Sequence, residues 1–310
     1  MPCPICHSEA SRILCDCCRA PRRINSLAGL IYECADCKFI YKETVDQPLD
    51  RLADIYQYSV EETSAYFGPI LKGYSEASAE VRLYTRVLTE ARRRLGSPAH
   101  GSAPRLLDVG CATGALLDYS RKFGFDPYGV ELNPHFARYA SETFALPVVA
   151  GELDASCFER GYFDAIALLD LIEHVPDPLA MLNTARELLR PGGLLAVYTP
   201  NHRSLMAWLA VTGYRLSGGR LRGPVHVVFG TNHVSFFDHH TLPDVVRRAG
   251  FECEAVQRVP YDTERQGEVS GSGILLKTAV GSVEAVARIV NLPYRLLAFA
   301  RKQVLSGQKR

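Results

Sequence analysis

Leu106-Leu107-Asp108-Val109-Gly110-Cys111-Ala112-Thr113-Gly114 runs from an apolar stretch directly into a string of small residues. Arg105 to Val109 reads as a short buried strand, and Ala115 to Phe123 as a helix that stops at Gly124. Between them, the small residues at 110, 112 and 114 let a ligand approach the backbone closely. Amides at the start of the helix can meet a carboxylate or phosphate. Asp108, near the strand's carboxyl end, can pair with a cationic ammonium.

Working outward, the same alternation repeats. Tyr128 to Glu131 reads as a second strand, followed by Asn133-Pro134 as an N-cap with proline at the first helical position. Glu131 ends that strand, where an acid can accept both hydroxyls of a ribose. Val148 to Ala150 is a third strand, and Gly151-Glu152-Leu153-Asp154 after it offers an acid and backbone for an adenine edge. Phe163 to Leu169 is a nearly continuous apolar run, as expected of a strand buried on both faces. Asp177-Pro178 opens a helix that ends near Arg190, before Pro191-Gly192-Gly193. Leu194 to Tyr198 is a fifth strand, Thr241 to Ala249 a helix, and Cys253 to Val259 and Ile274 to Ala279 two late strands. Repeated βα units predict an α/β fold with a doubly wound, mostly parallel sheet. Before it, Pro48 to Leu95 reads as helical, with Val81, Tyr84, Leu88, Ala91 and Leu95 on one stripe.

The glycine loop and the acid after it are shared by two kinds of Rossmann-like fold. A dinucleotide fingerprint needs GxGxxG, whereas here Gly110 and Gly114 are separated by three residues. The motif Asp108 to Gly114, the acid Glu131, the stretch Phe163-Asp164-Ala165-Ile166 through Leu171-Ile172-Glu173-His174-Val175-Pro176-Asp177-Pro178, and Leu188-Leu189-Arg190-Pro191-Gly192-Gly193 together resemble the class I S-adenosylmethionine-dependent methyltransferases. Within them the chain looks most similar to ubiquinone-biosynthesis-like members and to bacterial forms with an N-terminal zinc ribbon, many of them in glycan and natural-product pathways. The resemblance spans roughly residues 75–280. It implies a Rossmann-like seven-stranded sheet with an antiparallel last strand. It also implies S-adenosyl-L-methionine as cofactor, with Asp108, Gly110, Cys111, Gly114, Glu131, Leu132, Glu152 and Leu153 around it. Asp170 would face the methionine end, and Tyr74 would close over the cofactor or face the core. Ala112 and Glu152 depart from the commoner glycine and aspartate of the pattern.

Methyl transfer from a sulfonium is an in-line displacement in which the protein supplies positioning and, for oxygen or activated carbon acceptors, a base. Histidine suits that role near neutral pH. His174 follows the fourth strand, while His202, His226 and His233 follow the fifth. His233 and His174 are the candidate bases, each weighed against a structural role for the imidazole. No Asp or Glu occurs from Leu188 to Phe237, although Arg190, Arg203, Arg215, Arg220 and Arg222 do. That bias points to an anionic, partly apolar acceptor, such as a phosphate-bearing sugar or a lipid-linked intermediate.

Seven of the ten cysteines lie between Cys3 and Cys37. Cys3-Pro4-Ile5-Cys6 and Cys34-Ala35-Asp36-Cys37 form two CxxC pairs. Two such knuckles can complete a tetrahedral Cys₄ zinc site, with no position left open for water and hence a structural role. Cys15, Cys17 and Cys18, with His7 nearby, could replace a ligand, hold a second ion or be plain thiols, and the plain-thiol reading is favoured because the outer pairs already satisfy one metal. The expected organisation is a zinc ribbon at 1–45, a helical lid or linker at 46–100, the methyltransferase domain at 101–280, and a basic amphipathic C-terminal helix at 281–310.

That last helix carries Arg288, Arg295, Arg301, Lys302, Lys309 and Arg310 against Glu284, with Ile289, Val290, Leu296, Leu297, Phe299 and Val304 on an apolar side. It reads equally as a contact for an anionic membrane surface and as a helix docked on the domain or a second subunit. A formal net charge of +1 argues against a nucleic-acid-coating role. The first residues have no basic region followed by an apolar run, which predicts a cytoplasmic protein with any membrane contact at the inner face. The expected activity is O-methylation, with C-methylation second, of a small or lipid-linked glycan or natural-product intermediate. The competing expectations are an RNA-modifying methyltransferase gripping through the ribbon, and a non-catalytic scaffold.

Overall fold

The computed structural model describes residues 2–16, 29–42, 78–96, 102–229, 232–261 and 274–304. Tyr74, Cys17, Cys18, Lys309, Arg310 and the segment from Pro48 to Ala77 lie outside the described residues.

The main sheet has seven strands. They are β4 (Arg105–Val109), β5 (Asp126–Glu131), β6 (Val148–Ala150), β7 (Phe163–Leu169), β8 (Leu189–Pro200), β10 (Phe251–Val259) and β11 (Arg295–Lys302), in the spatial order β10-β11-β8-β7-β4-β5-β6. Strands β8, β7, β4, β5 and β6 run parallel, whereas β11 pairs antiparallel with both β8 and β10. From β4 the chain winds first to β5 on one side and later to β7 on the other. The carboxyl end of β4 is therefore the switch point where such sheets bind ligands.

Helices cover both faces, and their starts are written locally. Helix α1 (Ala79–Leu95) begins where the Ser78 hydroxyl accepts from the Val81 amide at 3.2 Å. It buries Val81, Val87, Leu88 and Ala91 against Leu106, Leu116, Leu297 and Phe299. Helix α2 (Ala115–Ser120) follows the glycine loop and passes through a 3₁₀ turn to the left-handed Gly124. Helix α3 (Pro134–Phe144) is capped by Asn133, whose side-chain oxygen accepts from His135 N–H at 2.9 Å. Helix α4 (Pro178–Leu188) is capped by Asp177, accepting from Ala180 N–H at 2.9 Å. Each such cap contributes about 1 kcal/mol. Helices α5 (Leu205–Leu216), α6 (Gly223–Phe229), α7 (Thr241–Arg248) and α8 (Ile274–Ile289) complete the described set.

The carboxyl-terminal region differs from expectation. Ile274 to Ala279, expected as a strand, opens helix α8. The helix expected to continue through Pro293 ends at Ile289, and residues from Arg295 form β11. The antiparallel strand is thus Arg295–Lys302, lying beyond residue 280. The physical reason is burial on both faces: Leu296, Leu297, Ala298, Phe299 and Ala300 are each no more than 1% exposed. A short, solidly apolar run carries no period to tell strand from helix. Leu296, Leu297 and Phe299 therefore cannot form the membrane-facing side proposed for them. Pro191-Gly192-Gly193, expected as a turn before the fifth strand, lies inside the irregular start of β8.

The N-terminal residues build a second, four-stranded antiparallel sheet. Strands β1 (Ser11–Asp16), β2 (Leu30–Cys34) and β3 (Ile40–Lys42) are joined by β9 (Ser235–Phe236), which comes from the segment after α6. Ile40 pairs Phe236 and Tyr41 pairs Ser235. The cysteine-rich unit is therefore stitched by backbone hydrogen bonds to the segment beside the main sheet's carboxyl edge.

Candidate active site

At the end of β4 the backbone turns through three left-handed residues, Gly110 at φ 73°, Ala112 at φ 47° and Gly114 at φ 81°. A Cβ on Gly114 would stand 2.8 Å from both Ala140 Cβ and Leu146 Cδ1, so glycine is required for the loop to pack on α3. Ala112 tolerates a conformation that costs a side-chain-bearing residue about 1–2 kcal/mol. Its compensation is a hydrogen bond: Ala112 N–H donates to Glu131 Oε2 at 2.7 Å, while Asn133 N–H donates to Glu131 Oε1 at 2.8 Å. Glu131 thus ties the glycine loop to the start of α3.

Asp108 and Glu131 are both buried, at 5% and 6% exposure, on adjacent parallel strands. Burial, with Glu131's charge added, raises the Asp108 pKa well above the ordinary carboxylate value. Burial also raises that of Glu131, against the amides of Asn133, Ala112 and Leu132 that favour its charged form. Two buried acids beside a close-approach loop suit a ligand that carries a cation and sugar hydroxyls. The residues present fit S-adenosylmethionine. Leu153 is half-buried against the main core and Glu152 and Leu132 are exposed. Cys111 turns its thiol inward, packing with Leu117, Ala140 and Leu146.

The other half of the edge holds a cluster of titratable groups. Beyond β7, Asp170 is left-handed at φ 52° and its amide donates to Tyr198 O at 2.8 Å. Its carboxylate pairs with Arg295 from β11. The Arg295 guanidinium lies among the rings of Tyr198, Tyr261 and Tyr294, at 5.2, 5.3 and 5.7 Å from their centroids. Arg295, expected on a terminal helix facing either a membrane or a docked partner, instead lies on β11 beside Asp170.

A 3₁₀ turn (Ile172–His174) follows. Glu173, 1% exposed, accepts from Thr199 Oγ1 at 2.8 Å through Oε2, and its Oε1 has no partner among the described residues. Burial, reinforced by the charge of Asp170, pushes its pKa up to about 8. The His174 and His233 rings meet edge to face at 4.7 Å between centroids, and His202 stands 6.3 Å from His233. His174 Nδ1 lies 3.3 Å from Asn232 O. Burial lowers the pKa of all three imidazoles, to about 3 for His202 and well below the ordinary value for His233. All three rings are therefore neutral near pH 7. Glu173, His174 and His233 each bring a ligand atom within 4.8 Å of the others, an arrangement that could also hold a cation.

The structure thus brings together the two candidate bases, which lie on separate loops. It adds Glu173, Arg295 and Lys42, which sequence reasoning had not assigned to the site. Lys42 comes from β3, is 2% exposed, and has its ammonium 5.7 Å from the Phe236 ring. Only the β3–β9 pairing carries it there, so no local signal could have found it.

The four knuckle cysteines also converge. Cys3 and Cys37 sulfurs are 3.5 Å apart, as are those of Cys6 and Cys34, and all four lie within 4.8 Å. A tetrahedral zinc site with Zn–S near 2.3 Å requires sulfurs about 3.8 Å apart. Each knuckle is closed by a left-handed residue, His7 at φ 58° and Lys38 at φ 62°. Cys15 lies elsewhere, buried with Ala207, Ala210 and Val225.

Residues 80–256 match the family described as a methyltransferase domain. A ubiquinone biosynthesis O-methyltransferase of Cereibacter sphaeroides is 31% identical over 174 residues, covering 54% of this chain and 68% of that protein. One from Xanthomonas campestris pv. campestris is 36% identical over 167 residues, 52% of this chain and 68% of its own. Among solved structures, a putative sarcosine dimethylglycine methyltransferase from Galdieria sulphuraria superposes with a TM-score of 0.51 at 13% identity, covering 73% of this chain and 87% of that one. The [4+2]-cyclase SpnF superposes at 0.50 with 19% identity, covering 79% and 96%. These two likenesses show the fold alone.

Proposed function

We propose that this chain, which belongs to the S-adenosylmethionine-dependent methyltransferase family, methylates an oxygen of a small anionic or lipid-linked acceptor, of glycan or natural-product type. The observation that carries the reading is the neutral His174–His233 pair at the same sheet edge as the Asp108–Glu131 acids.

When bound, the cofactor supplies a methyl group activated by its sulfonium. The chain's own residues do the rest. Glu131, fixed by two backbone amides, is oriented for ribose hydroxyls, and the close-approach loop from Gly110 to Gly114 accommodates the cofactor's bulk. Asp108 offers a carboxylate whose ionised form a bound cation would favour. A neutral imidazole, His233 or His174, takes the acceptor's hydroxyl proton as its oxygen attacks, a contribution of about 10²–10⁴-fold. Lys42 and Arg295 supply the positive field that suits an anionic acceptor.

We also assign a structural zinc ion to Cys3, Cys6, Cys34 and Cys37. By holding β2 and β3 it would hold β9, and with it His233.

Calorimetric titration with S-adenosylhomocysteine, followed by a labelled-methyl screen of phosphorylated sugars and glycolipids, tests the reading. Micromolar binding, with transfer lost in His233→Gln, supports it. Transfer to RNA alone, with a steep salt dependence, would replace the acceptor class.

A further inference from the structure

Because β11 runs antiparallel to β8, it starts where the parallel strands end. Its first residue, Arg295, therefore stands at the carboxyl edge of the sheet, opposite Pro200 of β8 and Val259 of β10. A parallel strand in the same place would have put its first residue at the far edge. From this position the guanidinium reaches Asp170, which follows β7, two strands away.

Asp170 lies level with the glycine loop. Leu168 pairs Val109, so the turn beyond it runs beside Gly110, and a Cβ on Gly110 would stand 3.0 Å from Leu171 Cδ1. The Asp170 backbone is left-handed at φ 52° and anchored through its amide to Tyr198 O at 2.8 Å. Its side chain is 28% exposed, against 12% for Arg295. The acid is thus the more open member of a pair whose cation is enclosed.

Enclosing a guanidinium costs free energy unless its charge is met. Here the rings of Tyr198, Tyr261 and Tyr294 and the Asp170 carboxylate meet it. The Tyr261 and Tyr294 rings stand edge to face at 5.8 Å, and both amides donate to Glu284 Oε1, at 2.8 and 3.4 Å. Glu284, 2% exposed in α8, so fixes the two tyrosines, the tyrosines fix Arg295, and Arg295 fixes Asp170. Strand β11 is secured without this arrangement by the buried run from Leu296 to Ala300.

We propose that Arg295 is a positioning residue: it holds the Asp170 carboxylate beside the glycine loop, where that carboxylate accepts from the α-ammonium of the cofactor's methionine end. The proposal deepens the S-adenosylmethionine reading and rests on it. Without the guanidinium, the partly exposed carboxylate can turn to water, and ordering it again costs part of the binding energy.

5′-Methylthioadenosine keeps the adenosine and thioether of S-adenosylhomocysteine but lacks its amino-acid end. The two ligands therefore separate this contact from the rest of the pocket. Both are titrated calorimetrically into the full chain, loaded with zinc. Expected for Arg295→Gln is a loss of about tenfold or more in S-adenosylhomocysteine affinity, the worth of one hydrogen bond to a charged group, with methylthioadenosine binding unchanged. Arg295→Lys, which keeps a cation near the carboxylate, should recover most of that loss. Asp170→Asn should show the same loss, and adding Arg295→Gln to it should cost nothing further. Should Arg295→Gln not fold alone, the double variant leaves no unmatched buried charge and should show the loss for S-adenosylhomocysteine only. Unchanged S-adenosylhomocysteine affinity in a variant lacking Arg295 overturns the proposal. So does an equal loss for both ligands, which makes the pair a support of the fold alone. A folded wild-type chain that binds neither ligand overturns the methyltransferase reading itself.

Discussion

The imidazoles of His174 and His233 meet edge to face with 4.7 Å between centroids, although one follows β7 and the other precedes β9. Both are removed from water, and His233 also lies in the field of His174, so protonating either is disfavoured. Histidine pKa values lowered by the fold keep the rings neutral as the pH falls through 6.5. A ring titration followed by NMR in metal-free buffer should find both midpoints below that value. A midpoint at or above 6.5 for either ring would remove the case for a preformed neutral base.

Glu131→Gln should weaken S-adenosylhomocysteine binding about 10- to 100-fold. The change replaces a carboxylate held by two backbone amides at 2.7 and 2.8 Å with a neutral amide that can accept through only one atom. Charged hydrogen bonds are worth about 1.5–3 kcal/mol each. Asp108→Asn should act in the same direction. Calorimetry on folded variants decides it, and undiminished affinity in both would mean the cofactor lies elsewhere.

The loop carries an internal contrast. Gly114→Ala must place a methyl 2.8 Å from Ala140 and Leu146 at a left-handed φ, and should lose about 2–5 kcal/mol of stability. Ala112→Gly relieves a left-handed alanine at φ 47° without removing its amide from Glu131, and should be neutral or up to about 1 kcal/mol more stable. Denaturant unfolding of the pair measures both, and equal effects would contradict the backbone geometry.

Chelating the metal should affect acceptor turnover before cofactor binding. The cysteines hold β2 and β3; β3 pairs β9, and Val234 N–H donates to Glu173 O at 2.9 Å. Released zinc near one equivalent, a lowered melting temperature, and retained S-adenosylhomocysteine affinity are the expected set. Cys34→Ser should reproduce it. Full turnover in zinc-free protein would separate the ribbon from the site.

Much of the cofactor side was legible because its chemistry is local. Strand, glycine loop and helix follow one another within residues 105 to 124, and Asn133-Pro134 and Asp177 announce helix starts through their own side chains. The acceptor side was less legible. His174 and His233 were readable as candidates because each follows a strand of the parallel sheet, but Arg295 and Lys42 come from distant segments. The sequence puts Arg295 on a terminal helix because Leu296 to Ala300 form an unbroken apolar run without periodicity. The charge pattern around that run then reads as amphipathic, whereas Lys302 reaches Leu189 O at 2.6 Å from the end of β11, the strand next to the sheet's edge.

The sequence alone therefore determined the parallel α/β architecture, the glycine loop proposed to meet the cofactor and the acids beside it, since backbone conformation and capping are set by neighbours in the chain. Tertiary structure decided which segment became the antiparallel strand, which imidazoles met, and where the cysteine-rich unit attached. Those outcomes depend on burial and on pairing between distant strands, and neither burial nor pairing partners are properties of a short stretch of residues.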